Sequence, residues 1–184
     1  MRNKAFLFLA ILFASCDYDY TPKPRAFFKI DLPSKEYKKT QVGCPFIFDM
    51  PLYSTLEEKE QECFYNLNFP NQNCTLHITY LPLNNNLLEH TEESRSLAYK
   101  HDVIADAIAE EVYINTEHKV YGILYDYYGT TATSAQFYLT DSINHFFRGA
   151  LYFNAEVSDS LLPVNNFLKK DIRHIIESFR WKDH

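Results

Sequence analysis

The chain's capacity for chemistry rests first on seven histidines: His77, His90, His101, His118, His145, His174 and His184. None belongs to an HExxH pair or stands beside a Cys-x-x-Cys, the spacings that aim two ligands at one zinc ion. No metal is therefore expected. His101 falls on an apolar stripe, the place of a hydrogen-bonded core histidine rather than a ligand or general base. Asp126, Asp141 and His145 could be grouped with Ser134 or Ser142 as a hydrolase set, but no Gly-x-Ser-x-Gly turn presents either serine as a nucleophile. Paired carboxylates occur in "LEEKEQE" and at Glu110-Glu111. General acid–base work needs two carboxylates in unlike environments across a cleft, whereas these read as solvated charges or a partner surface. No catalytic residue and no cofactor is expected.

Cysteine chemistry is the exception. Arg2 and Lys4 precede the apolar run Ala5 to Ala14, and Ala14-Ser15 leads directly into Cys16. A basic start, a short apolar stretch and a small-residue end form a secretory signal, and ten apolar residues are too few to span a bilayer. A cysteine at this spacing resembles the bacterial lipobox, with Phe13 standing where leucine is usual. Cys16 is therefore the expected site of lipidation, where buried acyl chains contribute about 0.8 kcal/mol per CH₂ and two or three chains anchor durably. Cys44, Cys63 and Cys74 remain. A disulfide between Cys44 and Cys63 is expected if their strands pair, and three reduced, buried thiols are the alternative.

Composition narrows the field. The 184 residues carry a net charge of −6 and only four glycines, at positions 43, 122, 129 and 149. Phosphate-cradling loops need clustered glycines, so a nucleotide fingerprint is excluded, and the acidic balance lacks the basic footprint of a nucleic-acid binder.

The elements that must position these residues follow from periodicity. Pro22, Pro24 and Pro33 keep the segment after Cys16 from becoming a helix, which makes residues 16–41 an anchor and tether of about 3.1 Å per residue where extended. "PFIFDM" and "CFYNLNF" read as strands, and "CTLHITYLPL" alternates Leu76, Ile78 and Tyr80 against Thr75, His77 and Thr79, the mark of a half-buried strand. Asn86 and Glu89 have capping-box spacing and open a helix expected to run to about Glu110, with Leu97, Ala98, His101, Ile104, Ala105 and Ile108 as its apolar stripe. "KVYGILYDYYG", "TSAQFYLTDS" and "NHFFRGALYFNAEV" read as an antiparallel meander. A closing helix is capped within Ser158-Asp159-Ser160 and carries the stripe Leu161, Val164, Leu168, Ile172, Ile175 and Phe179, with Lys169, Lys170, Asp171 and Arg173 turned to water. The expected fold is a single α+β domain over residues 42–184, behind a signal peptide at 1–15, with a mainly antiparallel sheet packed by two helices. Its element order is similar to that of Mog1/PsbP-like folds.

The segments "TPKPRAFFKIDLP", "CPFIF", "AYKHDVIADAI", "KVYGILYD", "SAQFYLTDSINHFFRGALYFNAEV" and "FLKKDIRHIIESFRW" together resemble the gliding motility lipoprotein GldD family of the Bacteroidetes, in the same order over nearly the whole mature chain. The resemblance implies a non-enzymatic lipoprotein of the cell envelope, held at the outer membrane through Cys16. Its implied partners are other gliding lipoproteins or envelope proteins near the type IX secretion machinery. A different class of function is a lipoprotein that binds a small ligand or glycan in a groove lined by Tyr121, Tyr125 and Tyr127, and a third is an envelope hydrolase built on the Ser, His and Asp set above.

Overall fold

Strands buried on both faces build the centre of the protein. The computed structural model describes residues 30–100, 106–129, 132–154 and 161–182. Short strands β1 (Tyr37–Lys39), β2 (Phe46–Ile47), β3 (Asp49–Pro51) and β4 (Thr55–Glu58) come first, followed by β5 (Tyr65–Phe69) and β6 (Cys74–Pro82). Helix α1 (Leu87–Tyr99) leads to β7 (Ala107–Asn115), β8 (Val120–Tyr128), β9 (Thr133–Thr140) and β10 (His145–Phe153), and helix α2 (Leu162–Ser178) precedes β11 (Arg180–Trp181). Seven strands form one antiparallel sheet in the order β4-β5-β6-β10-β9-β8-β7, and β1 with β3 and β11 with β2 make two small ribbons. This is an α+β fold with the expected β8-β9-β10 meander.

One sheet face carries the larger core. Leu76 and Ile78 of β6, Phe137 and Leu139 of β9, and Phe147 and Leu151 of β10 meet Phe46, Phe48 and Met50 from the ribbons. Val164, Leu168, Ile172 and Ile175 of α2 complete it at spacings of three and four residues. Each such side chain contributes about 1.5–3 kcal/mol by leaving water. On the other face α1 covers only the middle, where Ala98 caps a cluster of Tyr125, Tyr127, Tyr138 and Phe146.

The strands lie close because two glycines allow it. A Cβ at Gly149 would stand 2.4 Å from the Phe137 ring, and one at Gly122 would stand 1.9 Å from the backbone oxygen of Tyr138.

Several expectations change. The first helix ends at Tyr99, and Ala107–Asn115 is a strand paired along its length with β8. Ile108 therefore belongs to β7, and His101, Ile104 and Ala105 lie outside the described residues. Asn86 does not cap α1 with its side chain. Its Oδ1 instead accepts the Asn84 N–H at 2.8 Å, and its amide meets His90 Nε2 at 3.0 Å. The charged "LEEKEQE" stretch is not wholly a loop, because its first residues complete β4 at the sheet edge. Tyr37–Lys39, placed in the tether by sequence, pairs with β3. Ser158, Asp159 and Ser160 lie outside the described residues.

Candidate functional site

Ser134, Asp126, Asp141 and His145 of the imagined hydrolase set are each committed to other partners. Ser134 is buried and donates its hydroxyl to Asn165 of α2. Asp141 Oδ1 accepts the N–H groups of Ile143, Asn144 and His145 at 3.0, 2.8 and 2.8 Å, closing the β9–β10 turn. His145 Nδ1 pairs with the Tyr80 hydroxyl at 2.8 Å. Asp126 takes Lys169 Nζ at 2.5 Å and Arg173 Nη2 at 2.9 Å, and Arg173 reaches on to Glu111. Among the described residues no group of three or more His, Cys, Asp or Glu could hold a metal ion.

These contacts also correct the reading of α2. Lys169, Asp171 and Arg173 do not simply face water: they tie the helix to β8, to β7 and to the chain before β1. Asp171 is fully buried. It accepts Lys35 Nζ at 2.5 Å, the Tyr37 hydroxyl at 2.9 Å and the Tyr53 hydroxyl. Lys35 donates in addition to Phe167 O at 2.9 Å and lies 3.1 Å above the Phe167 ring. Burial, followed by the Asp171 hydrogen bond, pushes both tyrosine hydroxyls well above their ordinary pKa.

Cys44 and Cys63 are joined by a disulfide, with Cα atoms 5.7 Å apart. The strands beside them do not pair with each other: β2 pairs with β11, and β5 lies between β4 and β6. The bridge thus fastens the ribbon layer to the large sheet. Cys74 is buried and free, donates to Tyr152 O at 3.0 Å, and burial pushes its thiol pKa up to about 12. A thiol held protonated is a poor nucleophile.

Of the tyrosines proposed for a groove, Tyr125 and Tyr127 are buried under α1, and the Tyr127 hydroxyl donates to Ala98 O at 2.9 Å. Tyr121 lines an apolar groove of about 370 Å³ between the first turn of α1 and strands β7 and β8. On its rim Val112 is 71% exposed and Ile114 66%, with Ile143 of the β9–β10 turn at 72%. Strand β7 is the outermost strand of the sheet, so one side of its nine-residue backbone has no strand neighbour among the described residues. Sequence reasoning missed this surface by running the helix to about Glu110 and assigning no element to the residues between it and Lys119.

The described residues form an α+β domain in which an antiparallel sheet carries a helix on each face and ends in an open edge at β7. A model of the gliding motility lipoprotein GldD family matches residues 17–181, and the chain belongs to that family. It is accordingly a gliding motility component and a lipid-anchored protein of the cell envelope. No curated protein matches the chain. No helix among the described residues is long and apolar enough to cross a membrane.

Proposed function

We propose that the chain is a non-enzymatic docking module of the gliding machinery, held at the outer membrane by acylated Cys16 and working with other gliding lipoproteins beside the type IX secretion apparatus. Membership in a gliding motility lipoprotein family supports a partnership with other gliding proteins. The docking role rests on β7, whose open edge offers backbone N–H and C=O groups while Val112 and Ile114 stand exposed beside an apolar groove. An uncovered, flat edge flanked by aliphatic side chains is a liability that proteins normally blunt, and it is the template used when a partner adds a strand. The occupant is an extended segment of an envelope partner, its backbone on β7 and its alternate side chains in the groove. Anchoring at Cys16 is supported by the family match beginning at the next residue.

A photo-crosslinking residue at position 114 of the full chain in gliding cells tests the docking role. It is expected to capture an envelope protein, and Val112→Asp with Ile114→Asp should abolish both the crosslink and movement. Exposed substitutions of this kind typically change stability by within about 0.5 kcal/mol, so protein level and membrane fractionation should stay normal. Normal gliding in the double variant, with no crosslink from position 114, would overturn the assignment.

A further inference from the structure

A second cavity, of about 400 Å³, opens on the other side of the β9–β10 turn and shares no lining residue with the β7 groove. One wall is Trp181, the chain's single tryptophan. Its indole N–H donates to Lys119 O at 3.1 Å, its ring stacks on His145 with centroids 4.9 Å apart, and Phe179 meets it edge-on at 4.7 Å. Three separate elements therefore hold the indole in one orientation. His145 is fixed in turn by Tyr80.

Polar and charged groups complete the lining. The Asp141 carboxylate is oriented by its three backbone donors. Burial raises its pKa, but those donors outweigh burial and hold it below the usual carboxylate value, which keeps it an acceptor. Asn144, Glu117 and Lys119 add further donors and acceptors, and the Lys182 ammonium, which donates to Val42 O, adds its charge. Glu117 and Asp141 offset Lys119 and Lys182, so the formal charge of the lining cancels.

These properties select a ligand. An anion would need a surplus of positive charge, and an acyl chain would need an apolar lining. A sugar ring needs a fixed aromatic plate for its C–H face and several planar hydrogen-bonding groups for its hydroxyls, without net charge. The volume lies within the range of about 300–1,000 Å³ usual for small-molecule sites. We propose that the Trp181–Asp141 cavity binds a neutral saccharide unit of an envelope glycan. The protein would then be held both by its lipid and by a polysaccharide, while β7 stays open to a partner.

Because Trp181 is the only tryptophan, its intrinsic fluorescence reports on the cavity directly. The lipidated full chain in detergent is titrated with oligosaccharides released from peptidoglycan and, separately, with delipidated surface polysaccharide. A saturable change in emission is expected with at least one of them, and which one responds identifies the source. Glu117→Ala with Asn144→Ala, both outside the core, should weaken it about tenfold or more. The Val112→Asp, Ile114→Asp chain should respond as wild type does, which separates this site from the docking surface. Unchanged emission with both glycans up to roughly 10 mM, or an undiminished response in the Glu117→Ala, Asn144→Ala chain, would overturn the proposal.

Discussion

Asp171 shows what a single buried side chain does here. It is the meeting point of Lys35, Tyr37 and Tyr53, which come from the chain around β1 and β3, and its removal leaves a lysine ammonium over the Phe167 ring without a counter-charge. Breaking a buried pair from one side costs about 3–5 kcal/mol, because the remaining charge stays desolvated. Lys35→Met, which leaves the fully buried Asp171 carboxylate without its counter-charge, should accordingly lower stability by about 3 kcal/mol in urea unfolding, and Asp171→Asn by less, since the lysine side chain it strands is 27% exposed and its ammonium can be hydrated. A change of under about 0.5 kcal/mol for Lys35→Met would show that the cluster adds nothing. The sequence hid this role, because Asp171 sits among Lys169, Lys170 and Arg173 and reads as one more surface charge. Its position three residues after Leu168 and four before Ile175 was the available signal, placing it beside the apolar stripe.

At the scale of elements, the meander was legible and β7 was not, for one physical reason. Strands β8, β9 and β10 are rich in aromatic and aliphatic residues and are buried on both faces over most of their length, so hydrophobicity marks them as strands. Strand β7 is exposed along much of its length and carries Glu110 and Glu111 mid-strand, so its alternation reads instead as the polar side of a helix. The glycines make the same sheet testable. At Gly149 a Cβ would press on Phe137, which is itself 1% exposed and packed against Phe147. Overpacking of this kind costs about 1–3 kcal/mol. At Gly122 the obstacle is a backbone oxygen of the neighbouring strand, which cannot swing aside as a side chain does. Gly122→Ala should therefore be the more damaging change, with Gly149→Ala losing about 1–3 kcal/mol in the same urea assay. The reverse order would mean that β8 and β9 can separate locally more easily than the Phe137 ring can shift.

For the whole molecule, the three described cysteines divide into two chemical states, a bridged pair and a buried thiol, and the anchor proposed at Cys16 would add a third. Leu32 already packs on the core, so the fifteen residues 17–31 bound the distance between Cys16 and the domain at roughly 50 Å when fully extended. The Cys44–Cys63 bridge closes a 19-residue separation between the ribbons and the sheet, and constraining a loop of that size in the unfolded chain is worth about 3 kcal/mol in the entropic account. Cys74 is sealed under the β6–β10 pair as a protonated thiol. Alkylation of membrane-extracted chain, read by intact mass, should therefore add no label to the native protein. One label is expected after unfolding and three after unfolding with reduction, on a chain that starts at Cys16 and carries acyl mass. Cys16→Ala should lose that mass and leave the membrane fraction, with the same one and three labels. Four labels on the reduced wild type would mean a free Cys16 thiol and no anchor, and three before reduction would remove the bridge. Those two failures are separable, because the first breaks the link between domain and membrane while the second breaks the link between ribbon and sheet.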